Sequence, residues 1–146
     1  MTDAYSLLNR ELRFYIHEKG WPSLTKIQNA SIRAFFINEN NLILSAATAQ
    51  GKTEAAFLPA ISKVDSWNIG VKILYISPLK ALINDQFKRI NDMCFDMDIP
   101  ITSWHGEASK SKKDKLLANP RGIILITPES IEALLSGKAQ EASLLL

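Results

Sequence analysis

The sequence is short of almost everything that marks a specialised class. It has one cysteine, Cys94, in 146 residues, so no internal disulfide can form. Two histidines, His17 and His105, do not make up a zinc-ligand set with it. The longest apolar stretches, Leu42–Leu44 and Ile123–Ile126, fall far below the ~20 residues a membrane span needs, which excludes a transmembrane function. No basic region followed by an apolar one opens the chain, so a cytoplasmic protein without a membrane partner is expected. Charge of one sign is scarce too: 17 Lys+Arg against 15 Asp+Glu give a net charge of +2, too small to advertise nucleic-acid binding. With 47% hydrophobic residues there is enough apolar material for one core, and the length leaves no room for a complete two-domain machine.

The hydrophobic pattern alternates in kind along the chain. Leu8, Leu12 and Tyr15/Ile16 recur at helical spacing, and Gly20 supplies a stop, which predicts one amphipathic helix over about 4–19. Thr25 and Gln28 have capping-box spacing ahead of a second helix that ends at 38–41. Leu42-Ile-Leu-Ser reads as a buried parallel strand, followed by a small-residue loop and a helix over about 52–64 that Pro59 should kink. Strands are then expected at 72–76, 101–104 and 123–126. Between and after them come helices over 79–93, with Leu79, Leu82/Ile83, Phe87 and Ile90 on one face, over 109–118, and from 130 to 135. Such alternation implies right-handed crossovers and a parallel sheet covered on both faces: an α/β, three-layer fold with N-terminal helices.

One segment carries chemistry directly. Ala46, Ala47, Thr48, Ala49, Gln50, Gly51, Lys52 and Thr53 fit the phosphate-loop pattern with alanine in place of its first glycine, between an expected strand and an expected helix. Small residues let successive backbone N–H groups turn toward phosphate oxygens at a helix N-terminus. Lys52 is then expected against the β- and γ-phosphates of a nucleotide, with the Thr53 hydroxyl on Mg²⁺.

Five separated stretches, in order, resemble the first motor domain of superfamily 2 helicases, with the likeness strongest to Lhr-like (large helicase-related) DEAD/DEAH-box ATPases. Gly20 to Gln28 resembles the Q motif, Ala46 to Pro59 motif I, Ser77 to Gln86 motif Ia, Trp104 to Glu107 the next strand-end motif, and Thr127 to Ser130 motif Ib. The resemblance implies a RecA-like P-loop domain whose Q-motif region covers about 12–30 and whose core begins near 38. It also implies ATP and Mg²⁺ as cofactors, with Gln28 reading adenine. Single-stranded DNA or RNA is the implied partner, touched by Pro78, Lys80, His105, Gly106, Thr127 and Pro128.

Two departures accompany the likeness. The family usually has glycine where Ala49 stands, and nothing after Ser130 resembles the Asp-Glu-x-His/Asp motif. The Ser-Ala-Thr motif and the second motor domain are also missing, so residues 1–146 are expected to be the N-terminal part of a first motor domain that lacks its C-terminal partner. Such a chain is expected to be inactive alone. A non-hydrolysing nucleotide- or nucleic-acid-binding module is the alternative; another P-loop class such as a GTPase is disfavoured because no Asn-Lys-x-Asp guanine motif appears. Several roles stay open at this level. Gln28 can serve its own capping box, Pro78, Thr127 and Pro128 can simply start helices, and Trp104 and His105 can be a half-buried pair. Lys110, Lys112, Lys113 and Lys115 can form a solvated helix face or contact phosphates.

Overall fold

The computed structural model describes residues 3–146. The chain divides into two compact units at Asp65/Ser66.

The first unit is helical: α1 (Ala4–Leu7), α2 (Arg10–Glu18), α3 (Lys26–Ile37) and α4 (Lys52–Ser62). The single helix expected over 4–19 is instead two, because the Asn9 side chain accepts the Leu12 N–H at 2.9 Å and caps α2 from an extended backbone. The apolar spacing survives the break, with Leu8, Leu12 and Ile16 all buried. The capping box at α3 forms in both directions: Thr25 Oγ1 accepts the Gln28 N–H, and Gln28 Oε1 accepts the Thr25 N–H. Helix α4 packs on α3 and runs on through Pro59. Proline has no N–H, so the Ala55 carbonyl loses its helical donor; the buried Ser31 hydroxyl of α3 donates to it instead, at 2.5 Å.

The strand expected at 42–45 does not form. Ile43 is 95% exposed, and the run stays unpaired among the described residues. A strand exists only through hydrogen bonds to a neighbour, and the first unit contains no strand among its described residues.

The second unit is a three-stranded parallel sheet of β1 (Gly70–Ile76), β2 (Ile101–Trp104) and β3 (Arg121–Ile126) in the order β1-β3-β2. Helices α5 (Lys80–Met93), α6 (Lys110–Ala118), α7 (Pro128–Gly137) and α8 (Ala139–Leu145) surround it. Ile123, Ile124, Leu125 and Ile126 are all fully buried, so both faces of the central strand are covered, as a parallel sheet requires. On one face Ile124 and Ile126 pack with Trp104, Leu116, Leu134, Ala142 and Leu145. Helix α8 was not anticipated; Gly137 continues α7, and the chain breaks at Lys138 before Ala142 and Leu145 return to the core. Ile83 and Ile90 bury the inner face of α5, whereas Leu79 and Leu82 lie outside it.

Gly122 sets the spacing of the sheet. Its φ is +88°, and a Cβ there would overlap the Pro100 carbonyl, whose oxygen accepts the Ile123 N–H at 2.9 Å. Only glycine combines that backbone with that approach. No helix among the described residues is long and apolar enough to cross a membrane.

Candidate nucleotide and nucleic-acid sites

The phosphate loop belongs to the first unit. Thr48, Ala49 and Gln50 form an exposed turn, and Gly51 opens α4 from a left-handed conformation, φ 78° and ψ 34°. Ala49 also has a positive φ, 59°, at the position where the resemblance leads one to expect glycine. A left-handed alanine costs roughly 1–2 kcal/mol, so the turn keeps its shape against local preference. Helix α4 has no side-chain cap hydrogen bond, unlike α2 and α3, and the acidic Glu54 lies in its first turn. Lys52 folds back, and its Nζ donates to the Ala46 carbonyl at 2.7 Å, closing the loop on its own lysine.

Gln28 joins this loop to α3. Besides its capping bond, its Nε2 donates to the Gly51 carbonyl at 3.5 Å, and Thr25 Oγ1 donates to the Gln50 carbonyl at 3.2 Å. A Cβ on Gly51 would lie 2.5 Å from Gln28 Nε2, so the glycine also makes room for the glutamine. The helix-start role of Gln28 is therefore realised, and the same side chain braces the phosphate loop.

The other expected contacts belong to the second unit, at the carboxyl ends of its strands, where open α/β sheets bind ligands. Pro78, Lys80, Gly106 and Pro128 are exposed there, whereas His105 and Thr127 are buried. Pro128 occupies the first turn of α7, and the Thr127 hydroxyl donates to Ser130 Oγ at 3.0 Å without capping the backbone. The buried Ser77 hydroxyl at the end of β1 has no hydrogen-bond partner among the described residues. Trp104 is a core residue, so stacking on a base is not its surface role.

Lys80 is paired. Its Nζ donates to Glu107 Oε1 at 2.8 Å, a partner that motif-level reading named without giving it a role. That hydrogen bond, then the lysine charge, holds the Glu107 carboxyl below the usual carboxylate range. His105 is shifted down, first by burial, then by the Lys80 charge, with Lys113 adding to the effect and Glu107 opposing it. Lys113 Nζ donates to the His105 carbonyl at 2.8 Å and lies 5.4 Å from the Trp104 ring centre. The lysine run on α6 accordingly splits: Lys113 turns to this sheet end, while Lys112 rests over the Phe87 ring at 5.8 Å. Cys94 is buried, and burial pushes its thiol up to about 12, which makes it inert.

The sequence profile of the DEAD/DEAH box helicases matches residues 25–146. The chain belongs to that family. It is 29% identical over 147 residues to the ATP-dependent helicase Lhr-Core of Methanocaldococcus jannaschii, covering 88% of this chain and 17% of that protein. It is 30% identical over 126 residues to an activating signal cointegrator 1 complex subunit 3-like protein of Dictyostelium discoideum, covering 80% and 6% respectively. Among solved structures, the helicase Lhr of Mycobacterium smegmatis bound to ssDNA and AMP-PNP matches with a TM-score of 0.78 at 27% identity, over 97% of this chain and 19% of that one. The chain spans less than a fifth of each of these relatives. Its α/β architecture with a parallel sheet is that of RecA-like helicase domains.

Proposed function

We propose that this chain is the ATP-binding portion of an ATP-dependent nucleic-acid helicase, contributing the opening part of the first RecA-like motor domain, with a Q-motif region near 12–30 and a core from about 38. The observation that carries the reading is the phosphate loop: a helix start without a side-chain cap, Ala49 and Gly51 at positive φ, and Lys52 folded onto the Ala46 carbonyl. A phosphate oxygen bears charge that a peptide carbonyl lacks, so a bound triphosphate takes Lys52 from Ala46. Ala46 through Thr53 hold the phosphates, with the Thr53 hydroxyl on Mg²⁺, which neutralises charge between the phosphates when bound.

Gln28 reads adenine in this proposal without leaving its post. A primary amide has two N–H donors and two acceptor lone pairs, and the protein uses one of each, on Gly51 and from Thr25. One donor and one lone pair remain for the base. Single-stranded DNA or RNA runs over Pro78, Lys80, Gly106 and Pro128, with His105 and Thr127 shaping the loops from below. These residues alone bind without turnover, because Glu129 and Glu132 lie exposed on α7 and do not extend from a strand end.

Calorimetric titration of ATP, ADP and GTP tests the reading. ATP is expected to bind ~5–150-fold more tightly than GTP in the wild type. Gln28→Ala abolishes that preference, and Lys52→Ala weakens ATP more than ADP. Equal ATP and GTP affinity in wild type and Gln28→Ala would remove the adenine role; unchanged ATP affinity in folded Lys52→Ala would remove the phosphate site. Phosphate release near one turnover per second, lost in Lys52→Ala, would refute the claim that these residues do not hydrolyse ATP.

A further inference from the structure

The amino ends of β2 and β3 border a feature that the nucleotide and nucleic-acid reading leaves unused. Strand β2 is the last strand of the sheet on its side, with no neighbour beyond it among the described residues. The Pro100 and Trp104 carbonyls accept from Ile123 and Thr127, so the even-numbered residues of this stretch direct their backbone groups at β3. By the alternation of a strand, Ile101 and Ser103 direct their N–H and C=O groups to the open side. A cavity of about 370 Å³ lies along this stretch, with Phe87 of α5, Ile101, and Leu116 of α6 supplying apolar walls. Lys112, Lys115 and Arg121 bring positive charge to its lining, which contains no acidic residue. None of the three has a carboxylate partner among the described residues; Lys112 rests on the Phe87 ring instead.

We infer that this edge is a docking site for an extended acidic peptide, which adds a strand beside β2, sets an apolar side chain into the cavity, and offers carboxylates to Lys112, Lys115 and Arg121. The charge of the rim selects an acidic partner, and the free backbone groups of Ile101 and Ser103 select a peptide over a nucleic acid, since only a peptide backbone matches their donor and acceptor spacing. The charged rim lies at the amino end of the strands, away from the strand-end loops: β3 alone, six residues long, puts roughly 17 Å between Arg121 and Ile126. Lys112 doubles as a guard. A lysine over an open edge discourages pairing with neutral strands and admits one that brings negative charge.

Anisotropy titration of the whole chain with a fluorescent heptapeptide alternating glutamate and valine tests the inference. Saturable binding is expected, at least about fivefold weaker in Lys112→Glu/Lys115→Glu with an unchanged melting transition. The same peptide N-methylated at alternate residues keeps every charge but cannot pair with a strand, and is expected to bind about tenfold more weakly to the wild-type chain. Equal binding of the methylated peptide would overturn strand addition, and absence of binding to the folded wild type would overturn the site. A single-stranded oligonucleotide that displaces the peptide and itself loses affinity in the double variant would overturn the choice of a peptide and make the rim a polyanion surface.

Discussion

The two units hold their candidate sites by different physics. In residues 3–65 the phosphate loop hangs on individual side chains: Gln28 on Gly51, Thr25 on Gln50, Lys52 on Ala46. In residues 66–146 the candidate loops extend from the ends of a main-chain ladder, which continues past the strands as Ser77 N–H to the Ile126 carbonyl at 3.1 Å and Thr127 N–H to the Trp104 carbonyl at 3.4 Å. A site strung from side chains can be dismantled one bond at a time, each worth about 0.5–1.5 kcal/mol. A site on a ladder yields only where the backbone itself is blocked. Gly122 is that place. Gly122→Ala must strain φ +88° and push against the Pro100 backbone, so it is expected to destabilise the protein by roughly 2–4 kcal/mol in urea unfolding. A cost under about 1 kcal/mol would mean that β2 shifts freely, and the contrast between the units would fail.

The next largest effect belongs to the first unit. Ser31→Ala leaves the Ala55 carbonyl buried without a donor, at about 1–3 kcal/mol. Pro59→Ala restores an N–H four residues on, so in that background the serine is expected to cost markedly less. The coupling in this double-mutant cycle, read from unfolding midpoints, measures how far one hydroxyl replaces a helical bond. If the two substitutions are additive, Ser31 does not stand in for the missing donor.

How much of this was legible in the sequence follows the same division. Thr25, Gln28 and the 46–53 loop were readable because a capping box and a phosphate loop are local patterns, closed within a few residues. Pro59 was readable as a disturbance; that Ser31, 24 residues before Ala55 in the sequence, absorbs it was not, since nothing local pairs them. The run at 42–45 was misread for the corresponding reason: its composition suits a strand, but a strand is made by its neighbours. Helix α8 is not legible because the residues that recruit it, Ala142 and Leu145, are defined by the face of β3 they cover. The Lys80–Glu107 pair joins the start of α5 to the loop after β2, which are distant in sequence, and only the sheet brings them together.

In the second unit, burial of His105 gives the ladder a weakness that depends on pH. The native imidazole has a pKa below its ordinary 6.5, so below that pH the unfolded chain takes up a proton that the native one resists. Its stabilising contribution is complete above about 6.5 and is lost as pH falls through the native value. His105→Gln is expected to flatten the acid-side decline of the unfolding midpoint between pH 7 and pH 5. Lys80→Gln removes the second cause of the shift and should flatten it less. Identical pH profiles for wild type and His105→Gln would show that the decline comes from carboxylates elsewhere.

The smallest expected effect concerns the phosphate-loop turn, and it sharpens the contrast most finely because it changes no hydrogen bond. Ala49 sits at φ 59° on an exposed turn, so its strain is intrinsic to the residue and is not imposed by crowding. Ala49→Gly releases roughly 1–2 kcal/mol of that strain. It also returns about 0.4–1 kcal/mol of chain entropy to the unfolded state, which opposes the gain. The net change in stability is therefore a gain of about 0.8 kcal/mol, small enough to require paired urea curves. Its consequence for nucleotide should be larger in kind than in size. If the positive φ persists when phosphate binds, the glycine variant binds ATP no more weakly than the wild type, because the loop already has its bound shape in both. If the loop has to leave that conformation, the more flexible glycine changes the binding entropy while leaving the contacts of Lys52 intact. Calorimetry separates the two: equal affinity and equal entropy in wild type and variant identify a preformed loop, and a less favourable binding entropy in the variant shows that alanine's restriction helps to organise the turn. A destabilised Ala49→Gly protein would contradict the strain argument outright.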